Sequence, residues 1–367
     1  MLFASWGLAR RRGTMRSLHV VASDARRGAE TFAVELAAEL GSMGDEAKVV
    51  ALKPSGSSKP HVLPCLGASR RSVETLRSLR RAAAGADVVV AHGSSTLEAC
   101  AVGLTGSGVP FISRIIGEPS YWLRRGWRGS LNAGMQRRAA RHVVLWPGAV
   151  RQVARLYGVD SDQVDVIANA VDADRYRCGG IDERLSARRR LGVAPEQPCL
   201  AFVGALSSEK NVAAAVTAVG ALPEAVLLIA GDGPDRPALE AQARQVASGR
   251  VTFLGPLDHP GDVYAAADLL LLPSLSEGMP AVVIEAGLMG TSCVTTRVGA
   301  LPEMIDDGQT GFLASSGDPK AFAAAVQEAL PGADATGAKA ADTFRDRYTM
   351  ERIAPLWRRS LHRAAEG

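Results

Sequence analysis

The sequence has no apolar run approaching the roughly 18 to 20 residues that a helix needs to cross a bilayer, which excludes a membrane-embedded reading. Cysteine is sparse. Cys65, Cys100, Cys178, Cys199 and Cys293 are the five present, an odd, dispersed set without metal-ligand spacing that fits reduced thiols in a cytoplasmic protein. No Gly-x-Gly-x-x-Gly follows the first strand, which argues against hydride transfer. Nothing repeats, and no recognised nucleic-acid module is present. The first residues do not read as a secretory signal, because the short apolar stretch precedes Arg10-Arg11-Arg12 instead of following a basic segment. With Met15 just ahead of the first strand, residues 1–14 read as a start-codon extension or a basic arm outside the fold.

What is present describes a globular chain of two domains. Its 367 residues exceed one ordinary domain. The composition is 47% hydrophobic and 22% charged, and apolar runs of four to six residues alternate with segments of helical periodicity, the pattern of parallel α/β sheets. The net charge of +4 hides an asymmetry: residues 1–198 hold 29 Lys+Arg against 18 Asp+Glu, or +11, leaving 13 against 20, or −7. An anionic acceptor or an acidic membrane surface would match the basic half, as would a simple compositional bias towards Arg. The Trp- and Arg-rich stretch 122–141 reads as a membrane-facing segment, as a nucleic-acid grip or as a solvated helix face with snorkelling arginines.

The most informative stretch runs from Leu269 to Gly287. Four leucines, Leu269–Leu272, make a run apolar on both faces, as a central parallel strand requires. A sharp loop follows, and then a helix in which Pro280 suits the first turn. The amides of Ala281, Val282 and Val283 would then be free to receive an anion such as phosphate. Glu285 is the odd residue in an otherwise apolar helix. A buried carboxylate needs donors, and a ribose diol would provide two. Glu277, on the loop, would face the same crevice from the strand's carboxyl end, where ligands of open α/β sheets bind.

The string Glu277-Gly278-Met279-Pro280-Ala281-Val282-Val283-Ile284-Glu285 resembles the paired-glutamate motif of the family 4 retaining glycosyltransferases, which have the GT-B fold of two Rossmann-like domains facing across a cleft. The resemblance extends from about Leu18 to Trp357. It implies a sugar transferred from a nucleotide-diphosphate donor to an acceptor hydroxyl with retention of configuration, without a metal or other cofactor. Glu277 would orient the sugar, Glu285 would hold the ribose, and Gly278, Met279, Pro280, Ala281 and Val282 would line the donor. Gly204 and Lys210 match the family's Gly-Arg-Leu-x-x-x-Lys pattern, with Lys210 on the diphosphate. Gly231 and Gly233 form a Gly-rich turn that lets a ligand approach the backbone, and the backbone at Leu254 and Gly255 would meet the nucleobase. In the first half, Gly28 and Glu30 match a Gly-Gly-x-Glu loop, His92 stands where relatives commonly carry a histidine, and Ala168–Asp172 resembles the family's Pro-Asn-Gly-Val-Asp segment.

Three departures from the pattern bear on the donor and acceptor contacts. Ala205 replaces the diphosphate-binding arginine, Ile116 replaces a histidine that touches the donor sugar, and Arg27 replaces the first glycine of the Gly-Gly pair. Arg27, Arg114 or Glu118 could compensate. The two Asp-x-Asp triplets, 160–162 and 172–174, sit where Asp caps free amides, so no metal site is expected. The implied division is 15–180 for the acceptor-side domain, 181–198 for a connector, 199–345 for the nucleotide-sugar domain, and 346–367 for a helix crossing back. The expected setting is the cytoplasm or the inner face of a membrane. The alternatives left open are a non-catalytic or partner-dependent relative, given the departures, and another GT-B enzyme such as a nucleotide-sugar epimerase.

Overall fold

Short runs of Val, Ile, Leu and Ala become strands, and every strand pairs parallel to its neighbours. The computed structural model describes residue 6 and residues 13–56, 60–118 and 127–367. It divides into two compact units, residues 1–170 with 350–367, and residues 171–349. In the first, β1 (Arg16–Ser23), β2 (Glu46–Lys53), β3 (Val88–His92), β4 (Phe111–Ile115), β5 (Arg141–Val144) and β6 (Val164–Val166) lie in the order β2-β1-β3-β4-β5-β6. In the second, β7 (Cys199–Val203), β8 (Val226–Ala230), β9 (Val251–Gly255), β10 (Leu269–Leu272), β11 (Ser292–Thr296) and β12 (Phe312–Ala314) lie in the order β12-β11-β10-β7-β8-β9. Parallel neighbours need long crossovers, and helices supply them on both faces. The four leucines of β10 are fully buried between β7 and β11.

Both sheets are doubly wound, so each has a point where the strand order reverses, the place where open α/β sheets bind ligands. In the first unit it falls between β1 and β3, and in the second between β7 and β10. The loops after β7 and β10 carry Lys210 and Glu277. The loop after β1 carries Arg27, and β3 ends at His92.

The stretch 181–198 is no connector. Ile181–Leu191 is a helix of the second unit; its Arg188 is a buried donor and Arg184 a half-buried one, while Arg189 and Arg190 are exposed. Arg184 and Arg188 both pair with Asp268, and Arg188 also donates to the carbonyls of Ala266, Ala194, Pro195 and Gln197. The Arg-rich composition that suggests a linker reflects unpaired carbonyls at the amino edge of the sheet, which a guanidinium can gather several at a time. A cavity of about 620 Å³ opens at this edge, lined in part by Cys178, Arg184, Asp268 and Thr291.

The last helix, Met350–Glu366, belongs to the first unit. Its Trp357 is fully buried against Phe32 and His92. Trp6 also packs on this unit, with its indole N–H donating to Ala82 O at 3.2 Å and the Lys48 ammonium over its ring. The rest of the proposed leading arm, residues 1–5 and 7–12, and Trp122, Arg124 and Arg125 of the basic stretch lie outside the described residues. Among the described residues no helix is long and apolar enough to cross a membrane.

Candidate functional site

The site in the second unit is built where the loops after β7 and β10 meet. The β7 loop makes a short 3-10 turn, Ser208–Lys210, and enters the helix Val212–Ala221. Lys210 Nζ lies 2.6 Å from Glu277 Oε1, and Ser274 Oγ donates to the same oxygen at 2.7 Å. Glu277 is 7% exposed, whereas the Lys210 side chain keeps 23% of its surface open. Glu277 Oε2 takes no hydrogen bond among the described residues, and Lys210 uses one of its three donors. One acceptor oxygen and two ammonium hydrogens therefore remain for a ligand.

Beside them begins the helix Ala281–Leu288. Pro280 is not in its first turn. It is the N-cap, with ψ at 121°, in extended conformation. The Val283 amide consequently folds back on Pro280 O at 3.2 Å, and of the three amides expected to be free only those of Ala281 and Val282 have no partner among the described residues. Two donors at the positive end of a helix still suit an anion. Val283, Ile284, Ala286, Gly287 and Leu288 are buried. Glu285 is only half-buried, and Tyr264 O–H donates to its Oε2 at 2.7 Å. The donor that a carboxylate in this helix demands thus comes in part from the protein itself. Tyr264 is fully buried, and burial first and the Glu285 charge second push its phenol well above the usual range, so it remains a donor.

The glycines of the neighbouring loops do something other than what their pattern suggests. A Cβ at Gly231 would collide with the Gly204 carbonyl, and one at Gly233 with Leu206 O. Gly204 N donates to Ala230 O, Leu206 N to Asp232 O and Gly231 N to Gly255 O, all within 3.0 Å. The close approach these glycines permit is between the chain's own loops, which pack side by side along the carboxyl edge of β7, β8 and β9. Leu254 is half-buried and Gly255 buried at the end of β9; Met279 is buried and Gly278 O accepts the Ala300 amide at 2.8 Å. Ala205 is exposed on its loop.

In the first unit two of the residues proposed to face a ligand, His92 and Arg114, are sealed inside. Arg114 is 1% exposed, stacked on the Phe32 ring with its guanidinium carbon 3.6 Å from the centroid. It donates to Asn169 Oδ1 at 3.1 Å and stands 3.4 Å from His92 Nδ1. His92 Nε2 meets His19 Nδ1 at 3.0 Å, and His19 Nε2 meets Ser17 Oγ at 3.1 Å. No carboxylate pairs with Arg114 among the described residues. Burial lowers its pKa to about 9 and pushes His19 down to about 3, helped by the Arg114 charge. Arg114 is therefore not a spare cation for a diphosphate. Arg27 is exposed as N-cap of the helix Gly28–Ser42, Gly28 faces open space, and Glu118 is half-buried after β4. The Asp-x-Asp triplets do cap amides: Asp160 Oδ1 accepts from Asp162 N at 3.1 Å and Asp172 Oδ1 from Asp174 N at 2.9 Å.

A family model of "Glycosyltransferase Family 4" matches residues 26–175, and one of "Glycosyl transferases group 1" matches residues 197–331. The chain belongs to glycosyltransferase family 4. A D-inositol 3-phosphate glycosyltransferase of Nocardia farcinica is 39% identical over 177 residues, which is 44% of this chain and 39% of the relative. One of Rhodococcus jostii is 33% identical over 219 residues, 55% of this chain and 48% of the relative. The matches thus span half or less of these relatives' length. The fold is that of the Anabaena protein HepE in complex with UDP-glucose, at 18% identity and a TM-score of 0.83 over 95% of this chain and 99% of that one. Sucrose-phosphate synthase from Thermosynechococcus elongatus gives 20% and 0.78 over 94% and 98%. The GT-B architecture is shared with both.

Within the family 4 framework, three side chains next to the motif residues escape a reading of the sequence: Ser274, Tyr264 and Asn211. Ser274 has a signal, since Ser-x-x-Glu at the mouth of a strand offers the carboxylate a local donor. Tyr264 has none, because nothing in the sequence ties it to Glu285.

Proposed function

We propose that the protein is a glycosyltransferase that moves a hexosyl group from a nucleotide-diphosphate donor to an acceptor hydroxyl, with retention and without a metal ion, in the cytoplasm or at the inner face of a membrane. The observation that carries this reading is the Lys210–Glu277 pair beside the open amides of Ala281 and Val282 at the strand-order reversal of the second sheet. The remaining ammonium hydrogens and the two amides supply positive charge for a diphosphate that gains negative charge as it leaves. Donors preorganised towards developing charge commonly contribute more to catalysis than any other single effect. Glu277 Oε2 is left to accept a sugar hydroxyl, and Glu285, which accepts from Tyr264, is the carboxylate proposed for the ribose diol. The acceptor oxygen attacks the anomeric carbon as the bond to the diphosphate breaks, and the acceptor's proton passes to the departing phosphate oxygen.

The diphosphate-binding cation is reduced to Lys210, since Ala205 is exposed and carries no charge, so slow turnover is expected. UDP-glucose, bound by the Anabaena protein, is the first donor to test, and a phosphorylated cyclitol, as in the names of the Nocardia and Rhodococcus relatives, the first acceptor. The experiment is titration calorimetry with UDP and other nucleotide diphosphates, followed by transfer assays with and without EDTA. Binding that is lost in Lys210→Ala, and transfer indifferent to EDTA, are the expected results. Binding without transfer across a broad donor and acceptor panel would favour a non-catalytic relative. No binding at all would defeat the proposal.

A further inference from the structure

We infer that Asn211 is a positioning residue for the donor site, tying the Lys210 loop to the Glu277 loop through its side-chain amide. Asn211 is the only non-glycine among the described residues with positive φ, at 50°. That conformation is disfavoured for side-chain-bearing residues, although asparagine tolerates it better than most. Asn211 is also the N-cap of the helix Val212–Ala221, a position where an asparagine oxygen ordinarily accepts an amide of the first turn. Here it makes no such bond. Its Nδ2 instead donates both hydrogens away from its own helix, to Pro273 O at 3.1 Å and Gly317 O at 2.8 Å.

The two acceptors explain the geometry. Pro273 directly follows β10, four residues before Glu277, and Gly317 follows β12, just ahead of the helix Pro319–Ala329. On the other side of Lys210, Glu209 O accepts the Leu275 amide at 2.8 Å. Lys210 is thus flanked by two attachments to the same segment, 273–275, that delivers Glu277. A flexible lysine is otherwise free to swing over several ångströms. Fixing its backbone at both neighbours confines its ammonium to the Glu277 carboxylate, and left-handed φ at 211 turns the side-chain amide towards the two carbonyls. The inference rests on the reading of Lys210 and Glu277 as donor-site residues.

The test compares Asn211→Gly and Asn211→Asp with the wild-type chain. Glycine adopts this φ freely and loses only the two side-chain bonds. Aspartate keeps the size but turns a carboxylate on two carbonyl oxygens. The first readout is acylation of Lys210 by an amine-reactive ester, followed by mass spectrometry, with Lys320 and Lys339 as internal standards. Lys210 is expected to react several-fold faster in both variants while the other two lysines are unchanged. The second is steady-state turnover of the donor, with kcat expected to fall roughly 10- to 100-fold, as misplacement of a catalytic group does, and KM to change less than about threefold. A purely structural asparagine would lower the melting temperature and leave both readouts unmoved well below it. A folded Asn211→Gly protein with wild-type Lys210 reactivity overturns the inference. If the wild-type chain turns over no donor, the transferase reading fails, and the acylation ratio alone still decides whether Asn211 positions Lys210.

Discussion

The two units present the same edge of the same kind of sheet, and fill it in opposite ways. At the strand-order reversal of the first, His19, His92, Arg114 and Asn169 form a chain of buried polar groups closed over by Phe32 and Trp357. At that of the second, Lys210, Ser274 and Glu277 leave one carboxylate oxygen and two ammonium hydrogens unused next to two open helix amides. The first network is satisfied from within, apart from the Nε of Arg114, and spends its cation on an aromatic face. The second keeps open donors and an open acceptor among the described residues. Position at a switch point thus offers a place for a site in both units, but only the second keeps both unpaired donors and an unpaired acceptor there among the described residues.

The largest effect should come from the open network. Glu277→Ala is expected to lower donor turnover by roughly 10²–10³-fold, the scale of losing one preorganised electrostatic group. It should move the melting temperature little, because the orphaned Lys210 already reaches solvent. Arg114→Ala should behave inversely. Emptying a side-chain volume beneath Phe32 and stripping donors from Asn169 and His92 should cost about 2–4 kcal/mol of stability, with nucleotide affinity measured by calorimetry unchanged. Arg114→Met should recover most of that loss, since a hydrophobic side chain of similar length removes the need to bury a charge. If Arg114→Ala abolishes nucleotide binding in a folded protein, the contrast between the units is wrong.

Acid should separate the units as well. Five of the six histidines lie in the first unit. Burial holds His19 down at about 3 and His92 well below its usual range, with His19 and Arg114 adding repulsion. His142 is lowered to about 4, again by burial. Below about pH 6.5 the unfolded chain takes up protons that the folded chain refuses, so stability is full above that pH and falls as pH drops towards 3, by up to about 1.4 kcal/mol per unit for each histidine. Glu30, whose carboxyl pKa is raised by burial, works in the opposite direction and offsets part of this. Amide exchange followed at pH 7 and pH 5 should show β1 and β3 losing protection before β7 and β10, and His92→Gln should flatten that difference.

How much of this is legible in the sequence depends on the range of each interaction. β10, the helix after it and the loop positions of Glu277 and Lys210 belong to short contiguous strings, in which hydrophobic run, loop and polar residue follow each other within about twenty positions. The architecture is legible for the same reason, since alternation is a local signal. What stays hidden is built from distant partners. His19 and His92 are 73 positions apart, and Arg114 and Asn169 are 55; Arg188 finds Asp268 across 80. Arginine misleads twice: the stretch 181–198 reads as a connector and Arg114 as a compensating site residue, whereas Arg188 and Arg114 are buried donors within their own units. Pro280 misleads by one position, with the physical result that one expected amide is occupied.

The smallest effect tests the least legible contact. Tyr264 and Glu285 lie 21 positions apart on different helices, and a 2.7 Å bond between them holds the second motif carboxylate in place. Tyr264→Phe keeps the ring among Tyr176 and the buried residues around it and removes a single hydroxyl. A hydrogen bond to a charged group contributes about 1.5–3 kcal/mol when both partners are buried, and less when one is half-open as Glu285 is. Without the Tyr264 hydroxyl the carboxylate should be held less firmly, and nucleotide affinity measured by calorimetry should weaken by roughly 3- to 10-fold. Glu285→Gln should weaken it at least as much, and the double variant no more than Glu285→Gln alone, because Tyr264 acts only through Glu285. Additive losses would mean that Tyr264 serves the fold independently and that Glu285 is oriented by something else.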